Sequence, residues 1–264
     1  MDFGRNSVER ALQDKDAHRS KLKNLISLTA VRVVLMLLLL IAAIAVSFVL
    51  GAIRGIVDSA PELKPDSIAP MGFATSVYDA TGNQVETLVM AGSNREEAAY
   101  EELPKNLINA FVAIEDERFW QHNGVDTRSI MRAVVGVIRG TSSSGGGSTI
   151  TQQLIKNNLF NGGREKSFGE KLTRKIQEQY LAMKLERIMS KEVILTNYLN
   201  IINLGSNALG VKVASRRYFN KEVKDLTLSE CTVLAGITQN PSRLNPITGR
   251  QANEEKRKVI LRYM

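Results

Sequence analysis

The sequence predicts a mainly α-helical external domain that is carried by one N-terminal transmembrane helix, with a small β-hairpin near the membrane. Three observations lead to this prediction: an uncharged apolar run at residues 33–53, two β-like runs around the turn sequence DATGN, and helical periodicity from Leu103 nearly to the end. A chain of 264 residues holds one large domain or two small ones.

The apolar run VVLMLLLLIAAIAVSFVLGAI, residues 33–53, contains no charge. About 20 such residues are needed to cross a bilayer as a helix. A cleaved signal peptide would have a shorter apolar core nearer the start of the chain. We therefore expect a transmembrane helix over residues 33–55, which anchors the protein in a membrane.

The charges on either side of the run predict its orientation. Five cations precede it: Lys15, Arg19, Lys21, Lys23 and Arg32. Only Arg54 and Lys64 follow closely, so the positive-inside rule makes residues 1–32 a cytoplasmic tail and places the rest outside a single-pass cell membrane protein. The net charge of +8 indicates an anionic partner, and the external location argues against nucleic acid and leaves lipid head groups or phosphorylated substrates.

The chain after the span divides at about residue 104. Residues 56–104 read as a linker and β-hairpin region, because PELKPDSIAP is rich in proline and the runs around DATGN alternate as strands do. Residues 105–264 read as the main helical domain. Within it, we expect part of Met131–Ile138 to contact the membrane face, since that segment is apolar.

The stretch FVAIEDERFWQHNGVD, residues 111–126, contains an acid in an unexpected place. If the part before the glycine is helical, one face carries Ile108, Phe111, Val112, Glu115, Phe119 and His122. Most of that face is apolar and should point inward. A carboxylate is costly there unless it is paired, protonated or used, so Glu115 is a candidate catalytic residue.

A second stretch, GGGSTITQQLIKNN at residues 145–158, predicts a helix N-terminus after a glycine run. Ser148, Gln152 and Lys156 recur at every fourth position and would share a face. A hydroxyl, an amide and an ammonium beside a helix start suit a cluster of phosphate oxygens. A flexible loop followed by an ordinary capped surface helix explains the same residues, and this stretch alone does not decide between the two.

Two later stretches allow both a functional and a structural interpretation. In EKLTRKIQEQYLAMKLE, residues 170–186, Arg174 and Glu178 are spaced as a common surface ion pair, although a line of cations would also suit an anion. SKEVILTNYLNIINLG, residues 190–205, reads as a capped amphipathic helix that ends at a glycine. Its Asn200 is either a ligand contact or a hydrogen bond between packed helices.

Five segments resemble, in order, the motifs of the peptidoglycan glycosyltransferases: EDERFWQHNGVD, GGSTITQQLIKN, RKIQE, KEVILTNYLN and KRKVILRYM. These enzymes are lipid-linked polymerase domains, found alone or at the front of class A penicillin-binding proteins. The resemblance covers about residues 73–264. It implies a lysozyme-like, two-lobed fold and the polymerisation of lipid II into β-1,4-linked glycan strands in cell wall biosynthesis, with inversion and release of undecaprenyl diphosphate.

The resemblance also assigns roles to particular residues. Glu115 matches the general base that deprotonates the acceptor sugar's 4-hydroxyl, and Glu178 matches a second catalytic glutamate that helps to position the departing diphosphate. Substrate-binding positions fall on Asp116, Phe119, His122, Ser148, Thr149, Gln152, Gln153, Lys156, Asn157, Lys171, Arg174, Lys175 and Asn200. His122 is expected mainly to hold the first motif in shape. An extra loop cation could be Arg164, Lys166 or Lys171.

The expected partners are lipid II, the growing glycan strand, the bilayer, and other cell-wall synthesis or division proteins. No cofactor is required for certain, although a divalent cation, Mg or Mn, could bridge Glu178 and the diphosphate. The chain stops at Met264, the last residue of the fifth motif, before the helix of that motif would close. We therefore expect the glycosyltransferase domain to be truncated and the chain to be the front portion of a bifunctional penicillin-binding protein.

Two other functions fit part of the pattern. A lysozyme-like glycan-cleaving enzyme also uses a buried glutamate as an acid. Cleavage needs no diphosphate site, so the group of Ser148, Gln152 and Lys156 favours polymerisation. An inactive membrane anchor or scaffold for wall synthesis would not need the acids and cations that the motifs contain.

Overall fold

The computed structural model describes residues 4–70, 72–88, 94–138, 147–160 and 162–264, which form two units, Met1–Asp58 and Ser59–Met264. The first unit is one helix, α1 (Arg5–Asp58). Its segment Leu28–Asp58 is long and apolar enough to cross a membrane and is not buried against protein. That segment contains the predicted span at 33–55, and it is the one such helix in the described part of the chain.

The predicted hairpin is present in the second unit. Strands β1 (Thr75–Tyr78) and β2 (Gln84–Leu88) pair antiparallel, with the first residue of β1 opposite the last residue of β2. Asp79 closes the turn, because its Oδ1 accepts the backbone N–H groups of Thr81 and Asn83, both at 2.8 Å. Hydrogen bonds from the Thr81 side chain and from these amides hold the pKa of Asp79 at about 2.

The rest of the second unit is helical. Its helices are α2 (Lys105–Glu115), α3 (Thr127–Ile138), α4 (Ile150–Leu159), α5 (Phe168–Leu185), α6 (Lys191–Ile201), α7 (Val211–Phe219), α8 (Leu228–Ile237) and α9 (Arg250–Tyr263). Helix α2 packs against α8 and α9, while α4 packs against α5 and α6. These two groups share one apolar core, and the division into two lobes stays a prediction.

Side-chain caps decide where several helices begin. Thr149, Ser167, Ser190 and Thr227 precede α4, α5, α6 and α8, and each accepts a backbone N–H from the first turn. The predicted end of α6 at Gly205 is wrong, because the chain becomes extended at Ile202 after the last helical residue. The glycine-rich part of the second motif, residues 139–146, lies outside the described residues.

The single helical face predicted around Glu115 is also wrong beyond that residue. Helix α2 ends at Glu115, and Asp116 leaves the helical conformation with φ −160° and ψ 74°. Phe119 and His122 therefore follow in a turn and do not continue the helix. Glu115 is left at the end of α2, where its side chain can reach groups on other helices.

Candidate active site

The carboxylate of Glu115 is held between two helices that neighbour α2. Gln153 of α4 donates from Nε2 to Glu115 Oε2 at 2.8 Å, and Thr238, directly after α8, donates from Oγ1 to Oε1. Both donors are neutral. Among the described residues, no ion pair reaches Glu115, so the hydrogen bonds orient its charge without cancelling it.

The amide of Gln153 is itself held in place. Tyr198 donates from its hydroxyl to Gln153 Oε1 at 3.3 Å, and the tyrosine is 1% exposed. Burial, together with the nearby charges of Glu115 and Asp116, raises the pKa of Tyr198, which keeps the phenol protonated as a donor. The predicted substrate-binding residue Gln153 therefore positions Glu115 in this structure.

A cavity of about 560 Å³ opens beside Glu115. Its lining includes Glu117, Arg132, Ser148, Lys256 and Arg262. Burial lowers the pKa of Lys256, and the nearby charge of Glu115 opposes that shift. The cavity is polar and large enough for part of a sugar, and Glu115 faces it.

Glu178 lies in a different environment. It is 1% exposed, Arg174 Nη1 donates to its Oε1, and Lys175 Nζ donates to its Oε2 at 3.1 Å. Lys175 also donates to Ser148 Oγ at 2.6 Å and to Gln152 Oε1 at 3.2 Å. These five side chains, which we call the Glu178 cluster, bring together predicted residues from the second and third motifs.

The cations of the Glu178 cluster are firmly held. Arg174 Nε donates to Glu165 Oε2 at 2.7 Å. Burial opposes the charge of Arg174, but hydrogen bonds and charge interactions with Glu165 and Glu178 raise the pKa of the guanidinium. A cluster with fixed cations and a hydroxyl can bind an anion, whereas Glu178 has no free charge to act as a base.

The predicted divalent cation at Glu178 does not fit these donors. Both carboxylate oxygens already accept from cations, and a metal ion there would be repelled by Arg174 and Lys175. Across the described ranges, no group of three or more histidine, cysteine, aspartate or glutamate side chains could hold a metal ion.

Asp116 and His122 connect the first motif to the second. Asp116 is buried, its Oδ2 accepts the backbone N–H of Ile150 at 3.0 Å, and its carboxylate lies 2.9 Å from His122 Nε2. This agrees with the structural role expected for His122. Asp116 lies at the wall of the cavity, but most of its side chain is buried. Its hydrogen bond to Ile150 holds the start of α4 beside Glu115.

The structure corrects the substrate contacts predicted for Phe119 and Asn200. Phe119 is fully buried and packs edge-on against Trp120, with 5.0 Å between the ring centroids. Lys191 Nζ lies over the Phe119 ring, 4.3 Å from its centroid. Asn200 is 1% exposed and exchanges two 3.0 Å hydrogen bonds with the backbone of Ala98. Both side chains are buried in contacts with the protein, and neither lines the cavity beside Glu115.

The shared face predicted for Ser148, Gln152 and Lys156 is only partly right. Ser148 precedes the α4 cap and reaches Gln152 through Lys175. Lys156 and Asn157 are half-buried on α4, with no side-chain hydrogen bond in the described part of the chain. Each candidate for the loop cation is exposed and makes no described hydrogen bond to the Glu178 cluster: Arg164, Lys166 and Lys171.

Gly124 fixes the loop of the first motif against the start of the second. Its carbonyl accepts from Thr149 Oγ1 at 2.8 Å and from Gln152 Nε2 at 3.3 Å, so Thr149, predicted to bind substrate, serves as a cap and a loop contact. At φ +86°, a Cβ on Gly124 would lie 2.5 Å from the carbonyl carbon of Ala182.

We expect Gly124→Ala to lower the free energy of unfolding by about 2 to 4 kcal/mol, since the backbone is left-handed and the space is filled. Urea unfolding followed by the fluorescence of Trp120, the one tryptophan, measures this loss. Gly169→Ala is the matched control, because no atom lies within 4 Å of that site and its helical position favours alanine. Equal stability of the two variants would contradict the prediction.

Asp126 closes the same loop at its C-terminal end, directly before α3. Arg118 Nη2 donates to Asp126 Oδ2 at 2.5 Å, and Ser129 Oγ donates to the same oxygen at 2.6 Å. Burial opposes ionisation, but these hydrogen bonds hold the pKa of Asp126 at about 2.

We expect Asp126→Asn to lower the free energy of unfolding by about 1 to 2 kcal/mol at pH 7. Because the folded pKa is below the unfolded value of about 3.9, the contribution is complete above about pH 4 and is lost as the pH falls toward 2. Urea titrations from pH 7 down to 2.5 should therefore show the two proteins converging. A difference that stays constant down to pH 2.5 would contradict this assignment.

The fold and the site agree with the comparison to known families. The family model described as Transglycosylase matches residues 81–264, so the chain belongs to the transglycosylase family. The match begins before the predicted boundary at 104, and the domain boundaries at 32, 55 and 104 stay predictions.

Among similar proteins, penicillin-binding protein 1A of Clostridium acetobutylicum is 41% identical over 242 residues, covering 88% of this chain and 29% of the relative. Penicillin-binding protein 1F of Bacillus subtilis is 42% identical over 191 residues, which are 72% of this chain and 26% of the relative. The crystal structure of penicillin-binding protein 1A from Haemophilus influenzae matches with a TM-score of 0.38 and 22% identity. The match covers 74% of this chain and 18% of that protein. The chain thus spans less than a third of these relatives, and the resemblance of its motifs to the class A glycosyltransferase domain is confirmed.

Proposed function

We propose that this chain polymerises lipid II into β-1,4-linked glycan strands and releases undecaprenyl diphosphate, as an inverting peptidoglycan glycosyltransferase of cell wall biosynthesis. The observation that carries the proposal is the contrast between the two glutamates. Glu115 faces a cavity and has neutral donors, whereas Glu178 is buried and ion-paired with two cations. One acid is suited to accept a proton, and the other is suited to hold cations for a diphosphate.

In the proposed reaction, the acceptor sugar lies in the cavity with its 4-hydroxyl against Glu115. The carboxylate takes the hydroxyl proton while the oxygen forms a bond to C1 of the growing strand. The bond between C1 and the diphosphate breaks, and its electron pair leaves on the diphosphate. Attack from the face opposite the leaving group inverts C1.

The departing diphosphate is proposed to bind at the Glu178 cluster. Lys175 and Arg174 supply charge, and Ser148 supplies a hydroxyl 2.6 Å from the ammonium of Lys175. Glu178 contributes indirectly, since its carboxylate holds both cations in place. We propose that these side chains, rather than a metal ion at Glu178, balance the leaving charge, so a chelator such as EDTA should leave the activity in place.

The membrane is proposed to present the substrate. Helix α1 would anchor the chain with residues 1–32 in the cytoplasm, and α3 would meet the external membrane face. On α3, Met131 is 63% exposed and Val135 is 38% exposed, which supports this contact. In sealed inside-out membrane vesicles with Cys231 replaced by alanine, Asp2→Cys should be labelled by an impermeant reagent added outside, and Glu101→Cys only after the vesicles are opened. The reverse pattern would refute the orientation.

The test is an assay of the chain with labelled lipid II in detergent or vesicles. Formation of polymer supports the proposal. Cleavage of preformed glycan without polymer would indicate a lysozyme-like hydrolase. The absence of both reactions would leave the anchor or scaffold as the better account. Binding to other wall-synthesis or division proteins, which is also expected, would be sought separately by cross-linking.

A further inference from the structure

A hydroxyl outside the predicted site residues lies against the carboxylate of Glu115. Thr238 Oγ1 contacts both Glu115 Oε1 and the carbonyl oxygen of Ala235, the latter at 3.0 Å. A threonine hydroxyl has one proton and can donate fully to only one acceptor at a time. Because an ionised carboxylate is the stronger acceptor, the proton is directed to Glu115 while that residue is charged.

The other oxygen of Glu115 has a partner that cannot change its role. Gln153 Nε2 donates to Oε2 at 2.8 Å, and its orientation is fixed because Tyr198 donates to Gln153 Oε1. An amide nitrogen donates hydrogen bonds but does not accept them, because its lone pair is delocalised into the carbonyl group. Of the two described partners, only Thr238 can therefore accept a hydrogen bond from a protonated Glu115.

We infer that Thr238 is a positioning residue that stabilises Glu115 in both of its protonation states, an inference that rests on the proposed function. Before reaction, the hydroxyl donates to Oε1. As the acceptor O–H bond breaks, its proton bonds to Oε1 and the oxygen electron pair bonds C1, while the diphosphate leaves with the C1–O pair. The Thr238 proton then turns to the Ala235 carbonyl, and Oγ1 accepts the proton of the carboxyl group.

The neutrality of Thr238 matters for this role. A cation at the same position would stabilise the carboxylate and hold its charge against protonation. A hydroxyl orients the carboxylate and remains a partner after the proton has moved, so no buried polar atom is left unsatisfied. The rotation needs no backbone movement, because both acceptors already lie within hydrogen-bond distance of Oγ1.

Thr238→Val tests the inference, because valine keeps the shape of threonine and removes the hydroxyl. We expect kcat for lipid II polymerisation to fall by about 10- to 100-fold, with KM changed by less than about twofold. Thr238→Ser retains the hydroxyl and should keep at least about a third of kcat. Thr232→Val is the matched control on α8, since Thr232 makes a similar bond to a carbonyl three residues earlier, at 2.8 Å.

Several results would overturn the inference. They are an unchanged kcat in Thr238→Val, an equal fall in Thr238→Ser, an equal fall in Thr232→Val, or a rise in KM at constant kcat. Thermal unfolding of each variant shows whether a fall in rate is a loss of fold. Absence of polymer with the unaltered chain would refute the proposed function instead, so the two failures are distinguishable.

Discussion

Replacing Glu115 with glutamine is expected to lower the rate of lipid II polymerisation by about 10²- to 10⁴-fold, the usual contribution of a general base. Glutamine keeps the size of the side chain. Its oxygen can accept from Gln153 Nε2 while its amide nitrogen donates to Thr238 Oγ1, but it cannot take a proton from the acceptor hydroxyl. The loss should appear in kcat, because the cavity and the Glu178 cluster remain in place. Single-turnover polymerisation with labelled lipid II measures it directly.

The same substitution should not weaken the fold. Glu115 lies at the C-terminal end of α2, where the helix dipole disfavours a negative charge. Thermal unfolding of Glu115→Gln should therefore be at or above that of the unaltered chain. Glu101→Gln, at an exposed position, is the matched control and should leave polymerisation unchanged. Full activity in Glu115→Gln would remove Glu115 from the reaction.

Glu178→Gln is expected to lower both the activity and the stability. The carboxylate is 1% exposed and holds Arg174 and Lys175, whose side chains are 15% and 34% exposed. Removing the charge of Glu178 leaves Lys175 without its ion pair and Arg174 with Glu165 alone, so the free energy of unfolding should fall by about 3 kcal/mol. Polymerisation should fall by about 100-fold or more, because the cations that receive the diphosphate lose their fixed positions.

Urea unfolding and polymerisation rates check the two parts of this prediction. Glu255→Gln is the control, since Glu255 pairs with Lys258 at the surface and such pairs contribute about 0 to 1 kcal/mol. Retained stability with lost activity would mean that Glu178 acts on the substrate rather than through its cations. Retained activity with lost stability would make the cluster purely structural.

Local patterns were sufficient for much of the fold. The uncharged run at 33–53 predicted α1, DATGN predicted the turn that Asp79 closes, and Ser or Thr caps predicted the starts of α4 and α6. The prediction failed where periodicity was extended across a helix end. Asp116 leaves the helix, so Glu115 is the last residue of α2, and Phe119 enters the core from the following turn and not from the same helical face.

The motifs identified the residues of the candidate site, but they did not show which side chains contact one another in it. Nothing in the loop sequence TQNPSRLNP marks Thr238 as a partner of a glutamate 123 positions earlier. Its sequence context allowed Asn200 to be a ligand contact, although it favoured an internal hydrogen bond, and only the structure identified the partner as the backbone of Ala98. Lys256 and Arg262 lie in the fifth motif but were not among the predicted site residues, because the motif alone does not show that α9 packs beside the cavity.

By itself, the sequence determined the anchor, the hairpin, the helix starts and the acids and cations available for chemistry, because these depend on residues within a few positions of each other. Only the tertiary structure decided which glutamate forms ion pairs and which has neutral hydrogen-bond partners. Neutral partners from α4 and the end of α8 meet Glu115, whereas cations one turn away on the same helix meet Glu178. The chemical role of a carboxylate depends on the charge and hydrogen bonds of the groups that contact it. In this fold, several of those groups come from segments that are distant in the sequence.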